Sequence, residues 1–380
     1  MDLAGDGLMR ILVVNAGSVS LKLALLDGEH LLANQHVEIA SVEEGERSLS
    51  EALADLDNPD AVGHRVVHGG GVFTDAVRID VEVRDRLGDF VALAPLHQPS
   101  ALAGIDLVSQ VLPGVPAVAC FDTAFHATMP PAASTYAIPA EWRDKHGLRR
   151  YGFHGLSHAY ASRRAAAMVG SPIEELRIVV CHLGAGASLC AIRAGESIDT
   201  TMGFTPLEGL VMASRPGNVD PGLLVWLLRN TGIGIDDLDE ALEHRSGLMG
   251  LAGTPDMRVV IERAQAGEDA ALVALEVYLH RLRAGIASMA ASLGGLDVLV
   301  FTGGVGENAP VIRAGAATGL GFLGVEVDAE RNADADGDSE IGAPTASVRC
   351  LVIGAREDLE IVREVRRVLQ PSGSQEPTRS

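Results

Sequence analysis

The chain has 380 residues, of which 47% are hydrophobic, and this suits two domains that each bury a core of their own. Its formal net charge of −21 disfavours nucleic-acid binding, because a surface that follows phosphates needs a concentrated basic field. No stretch of roughly 18 residues lacks a charge or a glycine-rich break, so we expect no membrane span. Residues 1–7 have no basic segment followed by an apolar run, which predicts a cytoplasmic protein.

The first strand-like element opens a pattern that occurs twice in the chain. Residues 10–28 begin with a β-branched run, pass through a turn of small residues and return through a second apolar run. Residues 177–195 repeat this order, and the two segments lie far enough apart for each to open its own domain. We interpret them as related hairpins of two duplicated halves, against the alternative of two unrelated β-hairpins.

Strand-like and helical segments alternate through the rest of the chain. In chain order, the strand-like runs are 61–67, 117–121, 297–302 and 347–353, and the helical stretches are 157–169, 270–293 and 358–369. This alternation predicts sheets covered by helices, and so an α/β protein. The four cysteines, Cys120, Cys181, Cys190 and Cys350, include no C-x-x-C pair, and we expect them to be reduced core thiols.

Three glycine-rich turns follow predicted strands and are candidates for phosphate binding. They are Asn15-Ala-Gly-Ser-Val-Ser20, His182-Leu-Gly-Ala-Gly-Ala-Ser188 and Thr302-Gly-Gly-Val-Gly-Glu-Asn308. Small residues let backbone N–H groups close around phosphate oxygens, although one such turn alone is more often structural. Three together, two of them at equivalent positions, favour a nucleotide cleft between the halves. The sequence contains neither a G-x-x-x-x-G-K-[ST] loop nor the catalytic motifs of protein kinases.

Two arginines occupy positions that are unusual for a purely structural role. Arg65 interrupts an apolar strand that leads into glycines, and Arg215 lies in a turn before Pro216. A guanidinium binds a carboxylate or phosphoryl group with two parallel hydrogen bonds, and a pair could hold both reactants of a phosphoryl transfer. An ordinary surface ion pair is the alternative for either arginine.

One aspartate and three histidines need a closer look. Asp122 follows an apolar strand, where ligand sites of α/β proteins gather, and it suits either alignment of Mg²⁺ or substrate or a helix N-cap. His154 and His158 have H-x-x-x-H spacing, but the glutamate of H-E-x-x-H is absent, so hydrogen bonding to a phosphoryl oxygen suits His154 better than zinc. For His97 we expect a packed loop histidine.

Together these segments resemble the acetate kinase family, within the superfamily that also contains sugar kinases and actin. The matching strings are NAGSVSLK (15–22), GHRVVHGG (63–70), APLHQP (94–99), FDTAFHATMP (121–130), RRYGFHGLSH (149–158), HLGAGAS (182–188), DTTMGFTPLEGL (199–210) and FTGGVGEN (301–308). The resemblance implies an α/β fold of two duplicated ribonuclease-H-like (actin-like ATPase) domains with the active site in the cleft between them. The expected domains are 8–126 with 359–370, and 127–358, while 1–7 and 371–380 are expected to be disordered.

The resemblance also implies a reaction. The γ-phosphoryl group of ATP passes reversibly to acetate by direct in-line displacement, giving acetyl phosphate and ADP, with Mg²⁺ or alternatively Mn²⁺ as cofactor. The implied partners are acetate, ATP and a second copy of the chain in a homodimer, with no nucleic acid and no membrane. Two alternatives remain at this point: a kinase for propionate or butyrate, and a non-catalytic, actin-like ATP-binding regulatory protein.

Site residues follow from the matching strings. The resemblance assigns catalysis to Arg65, His97, Asp122, His154 and Arg215, and the acetate pocket to Arg65, Val67, Leu96, Phe153 and Pro206. It assigns nucleotide and phosphate binding to Asn15, Ser18, Ser20, Lys22, His182, Gly184, Gly186, Asp256, Met257, Arg258, Gly304, Val305 and Asn308. The implied metal ligands are Asn15 and Glu357.

The chain departs from the family pattern at several positions. Gly71 stands where the family usually has a glutamate near the metal, so we expect weaker Mg²⁺ binding. Ala185 replaces an asparagine and Val19 a serine, which leaves the nucleotide preference open. Arg356 stands where the family usually has an asparagine beside the metal glutamate, and the segment between Asp27 and Gly63 is shorter than usual.

Overall fold

A computed structural model describes residues 9–17, 20–38, 42–54, 58–95 and 97–369. The chain divides into two compact units. Unit 1 comprises the described residues of Met1–Phe125 and Arg356–Ser380, and unit 2 comprises His126–Ala355. The segments expected to be disordered, 1–7 and 371–380, lie outside the described residues.

Unit 1 is built on a six-stranded sheet. Its elements, in chain order, are β1 (Arg10–Ala16), β2 (Ser20–Asp27), β3 (His30–Glu38), α1 (Val42–Ala54), β4 (Ala61–Val66), β5 (Val77–Arg78), α2 (Val81–Gly88), α3 (Gln98–Val111) and β6 (Ala117–Phe121). The strand order is β3-β2-β1-β4-β6-β5. Strands β1, β4 and β6 are parallel to one another, and β2, β3 and β5 pair antiparallel with their neighbours.

Unit 2 contains a second six-stranded sheet. Its helices are α4 (Pro131–Ser134), α5 (Ala140–His146), α6 (Gly155–Val169), α7 (Pro221–Asn230), α8 (Ile235–His244), α9 (Gly247–Ala252), α10 (Met257–Gln265), α11 (Asp269–Leu293), α12 (Gly303–Asn308), α13 (Pro310–Ala317) and α14 (Ala329–Ala333). Its strands are β7 (Arg177–Leu183), β8 (Ala187–Arg193), β9 (Glu196–Thr200), β10 (Val298–Thr302), β11 (Ser339–Glu340) and β12 (Arg349–Val352). A last helix, α15 (Glu357–Leu369), belongs to unit 1.

The two sheets have the same topology. In unit 2 the order is β11-β12-β10-β7-β8-β9, with β7, β10 and β12 parallel and the other strands antiparallel to their neighbours. Strand β7 therefore occupies the place of β1, and β8 that of β2. This identity of order and direction confirms the prediction of an α/β fold with two duplicated domains.

The predicted strands and helices are observed with ends that differ by at most two residues. Central strands read as continuous apolar runs because helices cover both faces of the sheet, and Ile11 to Val14 of β1 are all buried. All four cysteines are free and buried, as predicted, and burial raises the pKa of each thiol. Within the described ranges, even the 25-residue α11 does not combine the length and the apolar character of a membrane span.

Helix α15 packs closely against the sheet of unit 1, in contact with β1, β4 and β6. A glycine in β4 permits this approach: a Cβ atom on Gly63 would lie 2.4 Å from Cγ2 of Ile361 and 2.8 Å from Cγ2 of Val365. The first residue of α15, Glu357, is thereby held near the carboxyl end of β4. That end of the sheet also carries Arg65.

Candidate active site

An arginine and two carboxylates meet at the carboxyl ends of two neighbouring strands in unit 1. Arg65 lies near the end of β4, and Asp122 follows β6 directly. Nε and Nη2 of Arg65 donate to Oδ1 and Oδ2 of Asp122 at 3.1 and 2.7 Å, and Oε2 of Glu357 lies 3.5 Å from Nε. Because the Asp122 side chain is 2% exposed and that of Arg65 is 20% exposed, this is not an ordinary surface ion pair.

The electrostatics of this cluster keep Arg65 charged. Burial alone would lower the pKa of Arg65, but the carboxylates of Asp122 and Glu357 raise it well above its ordinary value. Burial raises the pKa of Glu357, the Arg65 charge opposes this, and the carboxylates of Asp122 and Asp358 add to it. The pKa of Glu357 is raised on balance, so Arg65 only partly offsets burial and the neighbouring carboxylates, and an additional cation beside Glu357 is favourable.

The metal residues implied by the resemblance offer oxygen atoms. Glu357 supplies a carboxylate and Asn15, at the end of β1, an amide oxygen. Mg²⁺ prefers such hard ligands and commonly takes one or two protein groups together with phosphate and water, so this donor set fits it. In the described part of the chain, no group of three or more His, Cys, Asp or Glu side chains forms a closed metal cage.

Two departures from the family pattern lie near this cluster in sequence. Gly71 is exposed, and a Cβ atom there would meet no other atom within 4 Å, so the backbone at this position leaves room for the start of a side chain. Arg356 donates from Nε and Nη2 to Asp358, the residue that follows Glu357. The positive charge of Arg356 is thus paired with the carboxylate of Asp358, next to the candidate metal ligand Glu357.

In unit 2, serines hold two stacked histidines. The rings of His154 and His182 have centroids 4.4 Å apart at an interplanar angle of 29°. Nδ1 of His154 lies 3.0 Å from Oγ of Ser188, and Nδ1 of His182 lies 2.8 Å from Oγ of Ser157. His154 precedes α6 with a φ of 57°, a left-handed conformation that is uncommon outside glycine.

The turn of the β7–β8 hairpin lies beside these histidines and beside Arg215. A Cβ atom on Gly186 would lie 3.3 Å from Nε2 of His154 and 3.9 Å from Nη1 of Arg215. Arg215 itself donates from Nε to Oε2 of Glu243 at 2.8 Å, and its side chain is 20% exposed. Gly186 thus leaves open a space bordered by an imidazole and a guanidinium.

A cavity of about 770 Å³ in unit 2 is lined by the residues that the resemblance assigns to adenosine binding. Its lining includes Asp256, Met257, Arg258, Gly304, Val305 and Asn308, together with Gly184 and Ala185 of the β7–β8 turn. The volume is in the range of small-molecule sites. Asp256 caps α10 by accepting from the N–H of Arg258, and the Arg258 guanidinium also holds the pKa of Asp256 below its ordinary value.

The remaining predicted residues are distributed over both units. In unit 1, Asn15 lies opposite Lys22 in the β1–β2 register, so both side chains share one face, and the carbonyl of Ser20 accepts from the N–H of Gly17. Val67 and Pro206 are half-buried and Phe153 is buried.

The expectation of a packed His97 is wrong, because His97 is exposed at the start of α3. Ser18, Val19 and Leu96 lie outside the described residues.

Several partners of the site residues carry no recognisable signal in the sequence. Glu243, which binds Arg215, lies on α8, and no motif marks it. Ser157 and Ser188 belong to the quoted strings, but no pattern in the sequence marks them as the partners of His182 and His154. Glu208 is another such residue: it accepts from Tyr136 and Arg150 and so orders the loop that carries Pro206.

Comparisons with known proteins give one consistent result. The model of the Acetokinase family matches residues 46–363. An acetate kinase of Rippkaea orientalis is 46% identical over 355 residues, which cover 93% of this chain and 87% of the relative. A crystal structure of Porphyromonas gingivalis acetate kinase superposes with a TM-score of 0.90 at 35% identity, covering 95% of this chain and 100% of the other. The crystal structure of a propionate kinase from Francisella tularensis superposes with a TM-score of 0.89 at 36% identity, again covering 95% of this chain and 100% of the other.

Proposed function

The chain belongs to the acetokinase family, and from this premise we propose that it transfers the γ-phosphoryl group of ATP reversibly to acetate, giving acetyl phosphate and ADP. The observation that carries the proposal is the buried cluster of Arg65, Asp122 and Glu357. Within it, two carboxylates hold the Arg65 guanidinium, with its N–H donors, at the carboxyl ends of β4 and β6, where α/β proteins bind ligands. Because ATP is the donor, we assign the reaction to the cytoplasm.

The acceptor needs no general base. A carboxylate is ionised at pH 7, so its oxygen is already nucleophilic, and the protein's task is to position it and to neutralise charge. A guanidinium has five N–H donors, and Asp122 takes two from Arg65, which leaves donors for the acetate carboxylate. We assign Arg215 to the transferring phosphoryl group and His154 to a hydrogen bond with one of its oxygens.

The nucleotide and metal are assigned to residues with fitting chemistry. Adenosine occupies the cavity of about 770 Å³ beside the β7–β8 turn, and the backbone of Gly184 and Gly186 faces the phosphates. Asn15 and Glu357 would hold Mg²⁺, or Mn²⁺, which takes the same oxygen ligands. When bound, the ion neutralises charge on the phosphate oxygens. Val67, Leu96, Phe153 and Pro206 are assigned to the methyl group of acetate, with His97 near it.

A propionate kinase is the second candidate function. The Francisella tularensis protein named as a propionate kinase is as similar to this chain in fold and sequence as the Porphyromonas gingivalis acetate kinase. One methylene group changes discrimination by only ~1–3 kcal/mol, so propionate is expected to be a slower substrate of the same site. A non-catalytic role is disfavoured, because such a protein would not need Arg65, Asp122 and Arg215 together.

We further propose that the chain forms a homodimer through α7. Its exposed apolar side chains, Leu223, Val225, Trp226 and Leu228, are between 39% and 55% exposed, and none of its residues is buried. A helix on the surface of a monomer usually buries one apolar stripe and exposes polar residues. Exposed apolar surface of this kind marks a protein interface.

Trapping of acyl phosphate tests the reaction. Purified chain is mixed with ATP, Mg²⁺, hydroxylamine and acetate, propionate or butyrate, and the coloured hydroxamate is measured against a chelator-treated control. We expect product from acetate at a higher kcat/KM than from propionate, and none once divalent ions are removed. A faster reaction with propionate would favour the second candidate, and no product from any short acid would contradict the proposed reaction.

A further inference from the structure

A single serine hydroxyl connects two histidines in unit 2. Oγ of Ser188 lies 3.0 Å from Nδ1 of His154 and 2.7 Å from Nε2 of His158. A hydroxyl has only one proton to donate, so it can donate to one imidazole and must accept from the other. The tautomers of the two histidines are therefore coupled through Ser188.

His158 determines the direction of this chain of hydrogen bonds. The residue is fully buried, burial holds its pKa well below the ordinary value, and the nearby imidazoles of His126 and His182 lower it further. His158 is thus neutral and has one ring N–H. Its Nδ1 is buried and has no hydrogen-bond partner among the described residues.

The cost of burying an unpaired N–H donor favours the tautomer of His158 that has its proton on Nε2. A proton on Nδ1 would leave a buried N–H donor unpaired, which is rarer in proteins than an unused acceptor lone pair. With the proton on Nε2, His158 donates to Ser188, and only a lone pair is left unused at Nδ1. The Ser188 hydroxyl then donates to Nδ1 of His154, so the single proton of neutral His154 resides on Nε2.

This Nε2 belongs to the edge of the His154 ring that faces the turn at Gly186. A Cβ atom at Gly186 would lie 3.3 Å from both Nε2 and Cε1 of His154 and 3.9 Å from Nη1 of Arg215. An N–H at this atom is a hydrogen-bond donor beside a guanidinium, which suits an anionic oxygen. The opposite tautomer would turn a lone pair toward the same oxygen and repel it.

We propose that His158 and Ser188 are positioning residues that fix His154 in the Nε2–H tautomer, so that it presents a donor to an oxygen of the transferring phosphoryl group. The identity of that oxygen rests on the proposed function, whereas the tautomer does not. The chain of hydrogen bonds also disfavours the imidazolium form of His154. A second proton on Nδ1 would leave the Ser188 hydroxyl proton without an acceptor, and the cation would lie near Arg215.

Nuclear magnetic resonance of the full chain with ¹⁵N-labelled histidine tests the tautomer directly. The pattern of ring ¹H–¹⁵N couplings distinguishes Nε2–H, Nδ1–H and imidazolium, and the signals of His154 are those lost in His154→Gln. We expect Nε2–H for both His154 and His158 at pH 7. Nδ1–H or imidazolium at His154 would overturn the inference. This result stands whether or not the chain phosphorylates acetate, so it is separable from a failure of the proposed function.

A double-mutant cycle tests the route of the effect. We expect Ser188→Ala to lower kcat by ~10–100-fold, with KM for acetate within about twofold of the parent. In a His154→Ala background the same change should cause no further loss, because Ser188 acts through His154. A further tenfold loss there would contradict the positioning role.

Three more variants separate positioning from general damage to the fold. His158→Gln keeps an N–H donor for Ser188 and should retain more kcat than His158→Leu, which removes it. Equal loss in both would count against the inference. Ser162→Ala is the matched control for Ser188→Ala, because Ser162, on α6, is buried like Ser188 but donates to the carbonyl of Ala159, and we expect parental kcat. Thermal unfolding followed by circular dichroism verifies that each variant is folded.

Discussion

At the scale of single residues, each candidate arginine is held by a carboxylate of its own unit. Asp122 binds Arg65 through two hydrogen bonds, and Glu243 binds Arg215 through one. A guanidinium that is already ordered loses little side-chain entropy when it meets an anion. Such preorganisation matters for phosphoryl transfer, in which catalysis consists of positioning and charge stabilisation.

Arg65→Lys tests whether the geometry of the guanidinium is needed as well as its charge. A lysine ammonium cannot form both parallel bonds to Asp122 and still reach a substrate carboxylate, so we expect kcat to fall by ~100-fold or more. The free energy of unfolding should fall by a few kcal/mol at most, because the buried Asp122 loses part of its partner. Steady-state kinetics and urea unfolding measure the two effects.

Arg84→Lys is the matched control for this substitution. Arg84 also binds a carboxylate through two hydrogen bonds, both of 2.6 Å to Asp106, but the side chains are 31% and 45% exposed. We expect unchanged kcat and a change in unfolding free energy of less than about 1 kcal/mol. Near-parental kcat in Arg65→Lys would remove the two-bond geometry from the mechanism.

At the scale of elements, the hairpins explain how much of the site the sequence could predict. Two apolar runs joined by a turn of small residues were sufficient to predict the hairpins β1–β2 and β7–β8 and to recognise them as copies of one pattern. The pairing of His182 with Ser188 follows only once the register is known, because a shift of one residue turns every side chain to the other face. Partners distant in sequence, such as Glu243, depend on tertiary packing, which no local pattern encodes.

Gly63→Ala tests the close packing of α15 on β4. The added methyl group would overlap side-chain atoms of Ile361 and Val365, so α15 must shift, and with it Glu357. We expect a loss of ~1–3 kcal/mol in the free energy of unfolding and a higher Mg²⁺ concentration for half-maximal rate. Gly88→Ala, in α2, is the matched control, because the new methyl group would meet no atom within 4 Å. Its free energy of unfolding should be unchanged or slightly higher. Equal stability of the two variants would contradict the packing argument.

At the scale of the whole molecule, duplication was readable from the sequence, but the exposed surface of α7 was not. The order of strands repeats in both sheets because the two halves are duplicated, and the similar apolar pattern of residues 10–28 and 177–195 indicates this duplication. In α7 the run Leu223 to Leu228 is apolar throughout, which predicts a buried helix. The structure instead exposes it, and the proposed homodimer would reconcile its composition with its position by burying it against a second copy.

Trp226→Glu tests the proposed homodimer. Trp226 is 55% exposed at the centre of the apolar surface of α7, and a carboxylate buried there would have no partner. Loss of a central tryptophan from an interface costs at least ~2 kcal/mol, which is about 30-fold in the dissociation constant, so the variant should sediment as a monomer at concentrations where the parent is a dimer. Trp142→Glu is the matched control, because Trp142 is 53% exposed on α5, and this variant should remain a dimer. A parent that sediments as a monomer, or a Trp226→Glu variant that remains a dimer, would show that α7 does not form the interface.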